Sequence, residues 1–303
     1  MHVISCEQYT KQSLGELYDL TCEIAKNPTA FNTKLSGKII ASLFFEPSTR
    51  TRMSFESAAL RLGASVITTE NGNADSSVAK GETLEDTIKV VAGYCDAIVM
   101  RHGKIDSAER AAAVSNVPII NGGSGSGEHP TQALLDGYTI LKQRGSLNGT
   151  KLAVLGDLRY GRTVKSLIKL VSLYEGVQVY GLSMEQFALQ LKYIEFLKSK
   201  GIEYNLCKGF EDIPADVDVI YHTRIQAERF DEAIAEHKRT EKFIVNKAVL
   251  DRFSPNTMLL HPLPRNNEIA TDVDDDPRAM FFQQAHNGVP VRMAILLKAM
   301  GLS

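Results

Sequence analysis

Three hydroxyls and a guanidinium follow one another in Ser48, Thr49, Arg50 and Thr51, directly after the apolar run KIIASLFF and a proline. A buried strand broken by Pro47 would hand over to a helix opening in the hydroxyl run, with Ser48 suited to the N-cap. The first turn of a helix leaves backbone N–H groups unpaired and carries the positive end of the dipole, so anions are favoured there. The run therefore reads either as a phosphate cradle built without a glycine loop or as a capped helix with surface arginines.

GEHPTQALLD at 127–136 places His129 and Gln132 three residues apart, on one face of a helix's first turn. A flexible glycine-rich loop, NGGSGSG, precedes it at the end of the strand-like VPIIN, and in open α/β sheets ligands bind at that end of a strand. GDLRYGRT at 156–163 nearly matches a nucleotide-binding P-loop, but Arg162 stands where that pattern needs a lysine. An arginine at a strand-to-helix turn suits a carboxylate, which it can fork onto. HTRIQAERF at 222–230 offers Arg224, Gln226 and Arg229 within one short loop, which taken alone reads as a solvated basic loop. LLHPLPR at 259–265 makes a rigid turn with carbonyls free to accept, and an X-Pro bond there is a candidate for cis. The polar loop at 73–86 carries one lysine, Lys80, and taken alone reads as an ordinary exposed loop.

The elements that must carry these residues alternate along the chain. Strands are expected at 38–45, 64–70, 97–101 and 117–121, with helices at 51–62, 82–95 and 106–114 and a long one at 130–144. After the turn-rich GSLNG at 145–149, strands are expected at 151–156, 178–182, 218–223 and 257–261. Helices are expected from Val164 to Val171 and over 184–200, and a last one over about 290–301 with Pro290 in its first turn. This alternation implies βαβ units: an α/β fold in two domains, each a mostly parallel sheet flanked by helices. The acidic run DVDDDP at 272–277 lacks the glycine and distal glutamate of an EF-hand and reads as a solvated turn.

The chain has 303 residues, 44% of them hydrophobic, enough for about two domains. A net charge of −2 excludes the basic excess of a nucleic-acid binder. No apolar run reaches the roughly 18 residues that span a bilayer, and the N-terminus lacks a signal-peptide pattern. Cys6, Cys22, Cys95 and Cys207 form no zinc or redox spacing. A cytoplasmic small-molecule enzyme with reduced thiols is expected.

FFEPSTRTRMSFE, KGETLEDT, VMRH, HPTQALLD, GDLRYGRTVKSL, TRIQAERF, HPLPRNNEIATDVD and FFQQAHNG stand in this order over nearly the whole chain. In these pieces and their spacing it resembles the aspartate carbamoyltransferase catalytic chains. The resemblance implies transfer of a carbamoyl group from carbamoyl phosphate to the amine of L-aspartate, with no cofactor and no metal. It implies a carbamoyl-phosphate-binding domain of residues 1–131 plus the returning helix 287–303, and an aspartate-binding domain of 132–286. It further implies a homotrimer with active sites shared between neighbours, and it leaves open a regulatory chain as partner.

By the same resemblance Ser48, Thr49, Arg50 and Thr51 hold the phosphate. Arg101 bridges phosphate and carbonyl oxygens, and Arg101, His129 and Thr51 donate to the carbamoyl oxygen. Gln132 and the carbonyls of Leu263 and Pro264 orient the NH2, with Leu263–Pro264 cis. Arg162, Arg224 and Gln226 bind the aspartate carboxylates, and Ser76 and Lys80 enter from the adjacent subunit. Glu46 pairs with Arg162 and Arg229 on domain closure. The loop 122–128 departs from the family's common versions and the first thirty residues match loosely. An ornithine-using relative is disfavoured, since Arg162, Arg224 and Arg229 would repel a cationic amino acid.

Overall fold

The computed structural model describes residues 1–70, 81–224 and 243–302. It divides into two compact units, Met1–Tyr138 with His286–Ser303, and Thr139–Ala285.

In the first unit α1 (Lys11–Lys26) starts on a capping box in which the Thr10 hydroxyl accepts from the Ser13 amide. Then β1 (Ile39–Phe44), α2 (Thr49–Arg61), β2 (Ser65–Glu70), α3 (Leu84–Ala92), β3 (Ala97–His102), α4 (Ser107–Val114) and β4 (Ile119–Ser124) alternate as expected. The four strands pair in parallel in the order β2-β1-β3-β4. Ala41, Phe44, Ile98, Val99, Ile119 and Ile120 are fully or almost fully buried, so the strands are apolar on both faces, as a helix-covered parallel sheet requires. Each large aliphatic hidden this way contributes about 1.5–3 kcal/mol.

Two local expectations are corrected here. The helix after Pro47 begins at Thr49, where the Ser48 N-cap puts it and two residues before the start read from its apolar stripe, so Thr49, Arg50 and Thr51 all lie in its first turn. Only the second half of NGGSGSG is a loop. Asn121–Ser124 is the buried end of β4, and Gly125 N donates to His102 O at 2.9 Å. Its glycines serve close packing: a Cβ on Gly122 would stand 3.1 Å from Met100 O and 3.4 Å from Thr51 Cγ2.

α5 (Pro130–Arg144) follows, with proline at its first position, where no intrahelical N–H is needed. The second unit continues with β5 (Lys151–Gly156), α6 (Arg162–Val171), β6 (Gln178–Leu182), α7 (Leu191–Ser199), β7 (Glu203–Cys207), β8 (Val219–Thr223), α8 (Lys247–Leu250) and β9 (Met258–Leu260). Its strands are also parallel, in the order β7-β6-β5-β8-β9.

The expected helix over 184–200 is broken. Phe187 and Leu189 are both buried, a two-residue spacing that needs extended backbone, and Ala188 between them adopts it. The edge strand β7 escaped sequence reading because its alternation is weak and Leu206 is exposed. The last helix, α9, runs Phe281–Met300 and so starts well before Pro290. Burial of Phe281, Val291, Met293, Ala294, Ile295 and Leu296 outweighs the hydrogen bond that the proline removes.

The acidic run is a largely exposed turn, as read, and its carboxylates are also drawn into ion pairs. Asp274 pairs with Arg265, and Asp276 bonds both Arg278 and Lys247. Hydrogen bonding from Arg278 holds the Asp276 carboxyl far below the usual carboxylate range. Among the described residues no cluster of three His, Cys, Asp or Glu side chains is placed to hold a metal ion.

Candidate active site

In a parallel α/β sheet the carboxyl ends of adjacent strands point their loops to one side. In the first unit β1, β3 and β4 are neighbours, and the residues singled out by sequence follow those three strands. Phe44 pairs with Arg101 in register, and Phe45 N donates to Arg101 O at 2.9 Å, which seats Arg101 beside the start of the hydroxyl run. Arg101 Nε lies 3.7 Å from Glu46 Oε2.

Ser48 occupies the N-cap of α2, but its hydroxyl makes no capping bond. Thr49 and Arg50 are exposed, Ser48 is half-buried and Thr51 is buried.

His129 immediately precedes α5 and is buried. Its Nε2 lies 3.4 Å from Thr51 Oγ1, and its Nδ1 lies 3.5 Å from Thr131 Oγ1, the outer edge of hydrogen bonding. The tautomer with its proton on Nε2 would accept from Thr131 at Nδ1 and donate toward the Thr51 hydroxyl. Gln132, one turn into α5, donates its amide to Asp136 Oδ1 at 2.8 Å, leaving its carbonyl oxygen as an acceptor. The first unit thus brings Ser48, Thr49, Arg50, Thr51, Arg101, His129 and Gln132 to adjacent strand ends. The set is rich in donors, with a single side-chain amide among them.

In the second unit β5, β8 and β9 are neighbours, and three further runs follow them. Arg162 opens α6 and is almost fully buried; half-buried Arg224 follows Thr223, which pairs in register with Gly156. The P-loop likeness fails on geometry. Tyr160 N donates to Asp157 Oδ1 at 2.8 Å and Leu158 N to Phe187 O at 3.0 Å, so these amides of the turn are already used. A P-loop needs its amides free for phosphate.

The peptide Leu263–Pro264 is cis, and Leu263 has φ 57°. The turn is held from behind by groups that sequence reading did not assign. Leu263 N donates to His261 Nδ1 at 2.8 Å, which puts the ring proton on Nε2, 2.9 Å from Glu268 Oε1. His261 N donates to Gln284 Oε1 at 2.9 Å. The signal for this brace was the histidine of HPLPR itself, which reads as part of the motif and not as its support. Ser76, Lys80, Gln226 and Arg229 lie outside the described residues.

The family model for the carbamoyl-P binding domain of aspartate/ornithine carbamoyltransferases matches residues 1–142, and that for the Asp/Orn binding domain matches residues 148–299. The aspartate carbamoyltransferase catalytic subunit of Methanocaldococcus jannaschii is 46% identical over 302 residues, 98% of this chain and 97% of the relative. The chloroplastic aspartate carbamoyltransferase of Oryza sativa is 45% identical over 97% of this chain and 83% of the relative. Among solved structures, the M. jannaschii catalytic subunit superposes with a TM-score of 0.91 at 44% identity, covering 99% of this chain and 98% of that one. Aspartate transcarbamoylase from Trypanosoma cruzi, in complex with N-(phosphonacetyl)-L-aspartic acid, superposes with a TM-score of 0.91 at 38% identity, covering 97% and 94%.

Proposed function

The chain belongs to the aspartate/ornithine carbamoyltransferase family, and we propose that it moves the carbamoyl group of carbamoyl phosphate onto the amine of L-aspartate, giving N-carbamoyl-L-aspartate and phosphate. The observation that carries this reading is the gathering of Ser48, Thr49, Arg50, Thr51, Arg101, His129 and Gln132 at the ends of β1, β3 and β4. The hydroxyls, Arg50 and the first-turn amides of α2 take the phosphate. Thr51, Arg101 and His129 Nε2 donate to the carbamoyl oxygen, and Gln132 Oε1 with the Leu263 and Pro264 carbonyls accepts from the NH2.

The neutral amine attacks the carbamoyl carbon, and its nitrogen–carbon bond forms as negative charge builds on the carbonyl oxygen. Donors fixed at that oxygen bind the transition state more tightly than the ground state. When the carbon–oxygen bond to phosphate breaks, the departing phosphate takes the amine proton. No side chain serves as a nucleophile, so orienting two bound reactants supplies much of the acceleration, up to about 7–11 kcal/mol.

Arg162, Arg224 and Gln226 receive the two carboxylates of aspartate, and their charge sets the enzyme against a cationic acceptor. Ser76 and Lys80 reach the site from the neighbouring subunit of a homotrimer, to which a regulatory chain is a candidate partner. A place early in de novo pyrimidine synthesis and a cytoplasmic location belong to the same reading. No helix among the described residues is long and apolar enough to cross a membrane.

The test is direct. Purified protein given carbamoyl phosphate with aspartate, or with ornithine, should form carbamoyl-aspartate and be inhibited by a bisubstrate phosphonate-aspartate. Transfer to ornithine at the higher kcat/KM, or no transfer at all, would overturn the assignment.

A further inference from the structure

Asp136 lies one helical turn beyond Gln132 on α5 and is completely buried. A buried carboxylate is tolerated where it is bonded and balanced by charge. One of its bonds is the 2.8 Å contact from the Gln132 amide. Its balance comes from Arg292 on α9, which is 3% exposed and stacks its guanidinium 5.1 Å from the centre of the Phe55 ring on α2. Burial pushes the Arg292 guanidinium down to about 10, and Asp136 is the charge that opposes the fall, so the arginine stays cationic at neutral pH. Gly288, one turn before Arg292, makes the room: a Cβ there would collide with Arg292 Nη1 and stand 3.4 Å from Leu135 Cδ2. The last helix thus inserts a cation between α2, which carries the hydroxyl run, and α5, which carries His129 and Gln132.

An ionised carboxylate only accepts hydrogen bonds, so it dictates which end of the neighbouring amide turns toward it. We propose that Asp136 is a positioning residue: by accepting from the Gln132 NH2 it presents Gln132 Oε1 as the acceptor for the amine of an acyl phosphate, with Arg292 as the interior cation that balances it. This rests on the reading that Gln132 contacts the carbamoyl NH2. With Asp136 absent or neutral the amide has no enforced orientation, and its NH2 end meets the substrate's NH2 as donor against donor. The device selects an NH2 over a methyl group on the acyl carbon, since a methyl has nothing to donate.

The experiment compares binding of carbamoyl phosphate, acetyl phosphate and inorganic phosphate to the full chain, by calorimetry or by competition. Asp136→Asn should weaken carbamoyl phosphate about tenfold, the scale of one lost hydrogen bond, and leave acetyl phosphate and phosphate within about twofold. Equal weakening of all three, or unchanged selectivity, overturns the proposal. Should Asp136→Asn fail to fold, Asp136→Glu keeps the charge but displaces the acceptor by one methylene; the same loss of selectivity is expected, and native selectivity overturns the proposal. Gln132→Ala separates the two layers. If it leaves selectivity intact, the placement of Gln132 at the NH2 fails and this proposal with it. If it abolishes selectivity while neither Asp136 variant does, Gln132 keeps its role and Asp136 loses its own.

Discussion

The Thr51 hydroxyl lies 3.4 Å from His129 Nε2, tying the first turn of α2 to the residue that introduces α5. Two donors from separate elements therefore converge on one point with little freedom to move apart. His129→Ala should leave the fold intact and lower kcat by about 10²–10³, the usual effect of removing one donor to a developing oxyanion. Steady-state kinetics on the purified variant check it, and a kcat near the parent value would remove His129 from the chemistry.

Arg50 is the one cation within the Ser48–Thr51 run, and it is exposed in the structure. Arg50→Ala is expected to nearly abolish turnover and to weaken inorganic phosphate, while circular dichroism and the melting temperature stay close to those of the parent. Near-normal rates would refute the phosphate cradle, since an exposed arginine with no ligand contributes little to either quantity.

Gly122 governs how closely β4 approaches Thr51. Gly122→Ala would place its methyl 3.1 Å from the Met100 carbonyl and 3.4 Å from Thr51 Cγ2. The strand or the threonine must yield, costing about 1–2 kcal/mol of stability. The KM for carbamoyl phosphate should rise several-fold, because the methyl pushes on Thr51, a side chain proposed to meet the substrate. Urea titrations and substrate saturation curves measure the two effects, and a variant unchanged in both would show that β4 relaxes freely.

Much of this arrangement was legible in the sequence, because its signals are local. Apolar runs gave the strands; a proline and a hydroxyl run marked the start of α2. What stayed hidden depends on distant contacts. Pro290 reads as a helix start, and only the buried face of α9 reveals that the helix runs through it. Glycine at 122 reads as freedom, whereas here it serves proximity. Asp136 reads as the tail of a motif until Gln132 and Arg292 are seen around it. The glycine in β6, Gly181, is equally silent in sequence; it leaves space for the Tyr204 ring from the unforeseen edge strand.

His222 sits fully buried in the second unit, with Nε2 2.8 Å from Phe243 O and Nδ1 3.1 Å from Thr223 O. Burial pushes its imidazole down to about 4; nearby His261 lowers it further and Glu268 opposes. The unfolded chain therefore binds a proton on this ring below about 6.5, while the folded one does so only near 4. Between those values the unfolded state holds more protons, so stability rises with pH, and acidification across the window removes about 3 kcal/mol. His222→Gln should flatten that part of the pH–stability profile relative to the parent in urea melts. An identical slope in both proteins would mean the ring does not titrate there.

The proposed sharing of sites between subunits admits a quantitative test by subunit mixing. Lys80→Ala and His129→Ala trimers should each be almost inactive, since each lacks a group at every site. In the proposed cyclic trimer each site would take His129 from one subunit and Lys80 from its neighbour. After random exchange, every hybrid trimer, whichever variant is in the minority, has one interface where an intact His129 faces an intact Lys80. Three quarters of an equimolar mixture is hybrid, and one site in three works in each hybrid, so about one quarter of the parent activity should return. Dissociation and reassembly of the mixture, followed by the transfer assay, measures the recovery. A site contained within one subunit would leave the mixture as inactive as its components, because no exchange of whole subunits can bring the two intact residues into the same chain.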